Sequence, residues 1–173
     1  VLQTIYTGTN APSSNSAGEV LFSGASANRL TGAPGGVGIW KWNSGILTQL
    51  LSTSMPIANA PGLTVSSFGG GLQQKGIEIL ENGTVVAHVA VVGAGVTSLN
   101  NKAVVRISNS AINILARGGD QAPGAPAGQT FVNFGSTFKF KVSPNGSVVF
   151  VGNLQGAGVT PSNMTGIWVV PND

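Results

Sequence analysis

The chain has 173 residues, of which 8% are charged and 26 are glycine, with a formal net charge of +3 and no cysteine. An average soluble domain carries roughly 25% charged residues, so this surface has to be built from Ser, Thr, Asn, Gln and Gly, a composition suited to a secreted or cell-surface protein. The lack of cysteine excludes disulfides, thiolate metal sites and cysteine nucleophiles. Basic residues scattered between Arg29 and Lys141 leave no nucleic-acid footprint, and no apolar run reaches the roughly 20 residues of a membrane helix.

In chain order, residues 1–8 are apolar and β-prone, and the stretch TNAPSSNSAG then turns the chain. Residues 19–25 read as a strand, and the loop SANRLTGAPGG leads to a second strand over 37–42. Asn43-Ser44-Gly45 turns that strand into a hairpin partner over 46–52. A proline-punctuated connection, MPIANAPG, precedes strands over 63–68 and 76–80. Residues 84–92 are nearly all aliphatic, which predicts a strand buried on both faces. Strands over 102–108 and 112–117 flank an Asn109-Ser110 turn and reproduce the hairpin at 37–52, after which GGDQAPGAPAG repeats the earlier proline spacing. Over 138–142, Phe138, Phe140 and Val142 alternate with Lys139 and Lys141, so one side of that strand faces solvent. No stretch carries the apolar period and caps of a helix, and the chain is expected to be all-β.

The stretch SPNGSVVFVGNLQGAGVTPSNMTGIW at 143–168 has weaker copies in LENGTVVAHVAVVGAGVTSLNNKAVV at 80–105 and NSAGEVLFSGASANRLTGAPGGVGIW at 15–40. The turn glycines Gly18, Gly83 and Gly146 lie 65 and 63 residues apart, and Gly38, Ala103 and Gly166 repeat both spacings. Tandem four-stranded units of about 64 residues follow, approximately 1–66, 67–131 and 132–173, the last without its hairpin partner strand. The expected fold is β-propeller-like, with a β-sandwich or other stacked antiparallel sheets as the alternative. Val20, Phe22, Ile39, Trp40, Val85, Ala87, Val104, Val148, Phe150, Ile167 and Trp168 are the expected core.

The third unit, with ARGGDQAPG, PNGSVVF and the closing GIW, resembles the tandem repeats of large bacterial secreted or surface-anchored proteins, which run A-R-x-G-D-x-A-P-G, N-x-x-G-x-V-x-F and G-I-W. In the second unit Ala103-Val104-Val105 replaces Gly-Ile-Trp, and the first matches around residues 15–22 and 38–40. The resemblance implies an extracellular, propeller-like repeat protein and transfers no catalytic residue.

Residues able to carry chemistry are sparse. The acids are Glu19, Glu78, Glu81, Asp120 and Asp173, and the one histidine is His88. A glycosidase sets two carboxylates across one cleft. Here Glu19 adjoins a turn, Glu81 lies within one, and Glu78 shares the repeat position of Lys141, which points to a solvent-facing role. His88 falls among aliphatic residues with no G-x-S-x-G elbow nearby, so it reads as a half-buried strand histidine. Asp120 in GGDQAPG is a candidate metal ligand, but calcium takes about six to eight oxygens and no second acid lies close, so an Asx turn is the expected reading. Trp40 and Trp168 share a repeat position with Val105, as a packing site does. Trp42 has Ile107 and Val170 as counterparts, and with Tyr6 it is the candidate sugar-stacking platform. Of three sequons, at Asn82, Asn145 and Asn163, two coincide with Asn-Gly turns, where a positive φ is wanted.

The units keep their glycines and apolar residues while polar and aromatic positions vary, so the scaffold is what persists. The expected function is therefore a non-catalytic extracellular structural or protein-interaction module, part of a larger assembly, with no cofactor, metal or nucleic acid. A carbohydrate-binding propeller or lectin is the alternative. The chain opens on Val1 with no leader pattern, and its expected location is extracellular or the cell surface. A ring of three units is smaller than the roughly four to eight blades of propellers. The unpaired edge of the last unit is therefore expected to pair with another chain. Residues 1–12, whose LQTIYTGTNAP resembles NILARGGDQAP at 113–123, are expected to supply the displaced closing strand.

Overall fold

A computed structural model describes residues 4–7, 12–28, 34–68, 76–135 and 138–172, with the backbone alone at 4–7, 25–28 and 34–36. Fourteen strands and no helix make up the described residues, in three antiparallel sheets, none closed into a barrel. In the first sheet, β1 (Thr4–Thr7) and β2 (Ser13–Ser14) both pair with β3 (Val20–Asn28), followed by β4 (Pro34–Asn43) and β5 (Ile46–Ser52). In the second, β6 (Thr64–Phe68) and β7 (Ile77–Ile79) both pair with β8 (Val85–Val92), followed by β9 (Lys102–Ser108) and β10 (Ala111–Arg117). In the third, β11 (Thr130–Phe131) and β12 (Phe140–Val142) border one side of β13 (Val148–Gln155), and β14 (Thr165–Val170) borders the other.

The first edge of every sheet is thus one strand broken into two short pieces. β1 pairs with β3 in register Thr4↔Asn28 to Thr7↔Ala25, so it belongs to the first sheet, in the place of β6 and β11. The expectation that residues 1–12 close the last unit is corrected accordingly; of these, 1–3 and 8–11 lie outside the described residues. The sheets change over between Ser52 and Thr64 and between Arg117 and Thr130, so the expected joint at 66/67 falls inside β6.

Register repeats along with sequence. Phe22↔Trp40, Ala87↔Val105 and Phe150↔Trp168 are directly opposite pairs, as are Val20↔Trp42, Val85↔Ile107 and Val148↔Val170. The hairpin loops Ser44-Gly45 (φ 48° and 84°) and Asn109-Ser110 (φ 48° and 65°) are two-residue turns with both residues left-handed, whose twist matches that of the strands they join. At the Asn-Gly turns, Gly83 and Gly146 take the positive φ (78° and 87°). Asn82 and Asn145 instead accept backbone N–H groups two residues on, from Thr84 (3.0 Å) and Ser147 (3.1 Å).

Two apolar layers join the sheets. One packs Leu21, Ile39 and Leu51 of the first sheet against Val85, Ala87, Val105 and Ile107 of the second. The other packs Val86, Val104 and Ala116 of the second against Phe131, Phe140, Val148 and Phe150 of the third. Odd and even residues of β8 therefore enter different layers, and every residue of that strand except Val92 is buried. Phe131, Phe134, Phe138, Phe150 and Trp168 form a ring cluster with centroids 4.4–6.2 Å apart, within the range of favourable aromatic contacts. Of the expected core, Ile167 is 73% exposed. Its counterparts Ile39 and Val104 are buried by the sheet that follows, and among the described residues no sheet follows the third.

Candidate interaction surfaces

Each sheet has a leading face, such as Val85 and Ala87, and a trailing face, such as Val86, His88, Val104 and Arg106. Polar groups clamp one sheet to the next, and one contact recurs at equivalent places: the Ile79 N–H donates to Ser13 Oγ (3.2 Å) as the Val142 N–H does to Glu78. Asn15 donates its amide to the Leu80 carbonyl (2.9 Å), and the Ser16 backbone N–H donates to Glu81 Oε2 (3.0 Å). Arg106 Nη2 donates to the carbonyls of Gly146 (3.2 Å) and Pro171 (3.0 Å) across the second and third sheets. Glu78 accepts from the Val142 N–H (3.2 Å) and pairs with Lys141 (3.6 Å). Its side chain is 16% exposed, so it bridges sheets where its equivalence with a lysine had pointed to solvent.

An open polar cleft of about 750 Å³ lies between the first and second sheets, lined by Glu19, Lys41, Gln49, Glu81, Asn82 and Asn109 among others. Lys41 Nζ lies 2.7 Å from Glu19 Oε1, and this hydrogen-bonded ammonium holds the carboxyl below its ordinary pKa against the opposing effect of burial. Glu19 is thus a carboxylate at neutral pH, with no proton to give a leaving group.

The remaining candidates are separated. Asp120 Oδ1 accepts from Arg117 Nη2 (2.9 Å) and Nε (3.1 Å), so an ion pair takes its carboxylate in place of an Asx turn. Tyr6 lies opposite Ser26 and Trp42 opposite Val20, six residues along β3 and so roughly 20 Å apart, too far to form one platform. The Tyr6 side chain is outside the described residues. His88 is 3% exposed, against the Phe138 ring at 5.2 Å, and more deeply buried than its sequence suggested. Burial, seconded by Lys102, lowers its pKa to about 4, with a hydrogen bond to the Phe134 backbone acting the other way. Asn163 has both amide atoms engaged within its own loop, accepting from Thr160 N–H (2.6 Å) and donating to the Gly158 carbonyl (3.1 Å). Asn100 does the same with Thr97 and Gly95.

One surface was not singled out in the sequence. On the trailing face of the third sheet, Val151 is 53%, Ile167 73% and Val169 60% exposed, and Val151 and Ile167 are directly paired across β13 and β14. A shallow cavity of about 340 Å³, lined by Val132, Phe134, Phe138 and Val151 among others, adjoins it. The signal was present in SVVFV, where apolar residues occupy both parities of a strand with one sheet beside it. No curated protein and no solved structure matches the chain. A family model spans residues 2–173, and the chain belongs to that family, DUF7453, a family of unknown function.

Proposed function

We propose that the chain is a non-catalytic extracellular module, a propeller-like array of about 64-residue units that serves as a structural or protein-interaction part of a larger bacterial assembly. The observation that carries this is the apolar trailing face of the third sheet, at Val151, Ile167 and Val169. Beside it, β14 has no outer neighbour among the described residues, where β5 and β10 border the first two sheets, so a strand edge is available as well. The sparse charge supports the extracellular location. A photo-crosslinking side chain at Ile167 is expected to give protein adducts in producing cells, and a control at Ser162 is not. Absence of adducts, or protection of the chain from protease added to intact cells, overturns the reading.

The carbohydrate-binding alternative rests on the polar cleft, whose lining includes the amides of Asn43, Gln49, Asn82 and Asn109. Binding on a glycan array that is lost in Gln49→Ala decides in its favour; an empty array removes it.

A further inference from the structure

The same interface occurs twice in this chain. The trailing face of the first sheet packs on the leading face of the second, and the trailing face of the second packs on the leading face of the third. Repeat-equivalent positions carry it: Leu21 and Ile39 in the first instance, Val86 and Val104 in the second. The equivalent positions in the third sheet, Val149 and Ile167, lie on the exposed face described above. At the position of Lys41 and of the sheet-bridging Arg106 the third sheet has Val169, 60% exposed. Terminal repeats that end a stack carry a polar outer face, and this one is more apolar than the face it repeats.

The leading face of the first sheet is exposed at its Trp42–Leu47 end, while Phe22 and Trp40 on the same face are half-buried. Trp42 is 43% and its neighbour Leu47 38% exposed, whereas the counterpart Ile107 is 4% exposed beneath the first sheet. The turn glycines give an independent measure. A methyl on Gly83 would meet Glu19 Oε2 at 3.2 Å and Lys41 Nζ at 3.8 Å, and the Gly146 carbonyl accepts from Arg106, each group belonging to the preceding sheet. A methyl on Gly18 would meet nothing within 4 Å.

We infer that a second copy of this chain seats the leading face of its first sheet on the trailing face of the third, continuing the stack head to tail. This rests on the interaction-module reading and names its partner. The contact is heterologous, so each chain keeps one open face at either end, and association proceeds beyond a dimer unless the rotation closes a ring.

Sedimentation velocity across a dilution series is expected to show mass rising with concentration. Ile167→Lys, which blocks the trailing face, and Trp42→Lys, which blocks the leading face, are each expected to be monomeric. An equimolar mixture of the two is expected to give a one-to-one dimer and nothing larger, since one variant keeps its leading face and the other its trailing face. Val151→Lys and Leu47→Lys replace them if either fails to match the parent's thermal melt. A parent chain that stays monomeric at every concentration overturns the inference, and so does a single variant that still dimerises, which reports a symmetric contact. A monomeric parent that nonetheless gives crosslinks from Ile167 to a different protein in cells rejects the second copy as partner and retains the interaction module.

Discussion

His88 sets the acid response of the fold at the scale of one residue. Its unfolded-state pKa is near 6.5 and burial lowers the folded value to about 4, so below pH 6.5 the unfolded chain binds a proton that the folded chain refuses. Stability is therefore whole above pH 6.5 and falls as the pH drops toward 4, by up to ~3 kcal/mol. Glu19 adds loss in the same direction at lower pH, because its folded pKa is below the unfolded 4.5 and its contribution goes as the carboxylate is protonated. Replacing His88 by Val, the residue at its counterpart 151, is expected to flatten the dependence of the denaturant midpoint between pH 7 and 5. An unchanged slope in the variant would place the titrating group elsewhere. Phe150 and Ile167 provide a second contrast. Phe150 is 2% exposed within the ring cluster, and its replacement by Ala is expected to cost about 3–5 kcal/mol. Ile167→Ala, on the opposite face of the same strand pair, is expected to stay within about 0.5 kcal/mol in the monomer. Equal losses in thermal melts would contradict the assignment of faces.

Among the elements, the two long hairpins place the same turn on different residues. Gly45 accepts φ 84° freely, whereas its counterpart Ser110 is held at φ 65°, where a Cβ crowds the following carbonyl. Ser110→Gly is expected to stabilise the chain by about 1 kcal/mol and Gly45→Ser to destabilise it by a similar amount, read from urea midpoints. A shift in the same direction for both substitutions would show that the turns differ in strain. These hairpins were legible because turn chemistry and β-branched runs coincide, and β5 and β9 run where the sequence placed them. The broken first strands were not. Pieces as short as Ser13–Ser14 and Thr130–Phe131 carry no periodicity of their own and pair because β3 and β13 are already in place. Asn59 shows the same limit: it exchanges hydrogen bonds with the Ile114 backbone (2.8 and 3.0 Å), at the bulge of β10, a meeting set by how the connection lies on the next sheet.

For the whole molecule, exposure depends on what lies above a sheet, which a strand pattern does not contain. Ile39, Val104 and Ile167 have like sequence surroundings and opposite burial because sheets follow the first two and, among the described residues, none follows the third. Cohesion between sheets comes from apolar layers and hydrogen-bonded clamps, and among the described residues no group of three His, Cys, Asp or Glu side chains gathers. A chelator is expected to leave the melting temperature unchanged, and a sharp drop would reveal a metal held in another way. The double burial of β8 also bears on how such a chain changes length over generations. A middle sheet carries both halves of one contact, a face that receives its predecessor and a face that receives its successor. A duplicated gene segment encoding such a sheet arrives with both kinds of face, and its one new junction sets Val86 and Val104 of one copy against Val85 and Ala87 of the next, aliphatic on aliphatic.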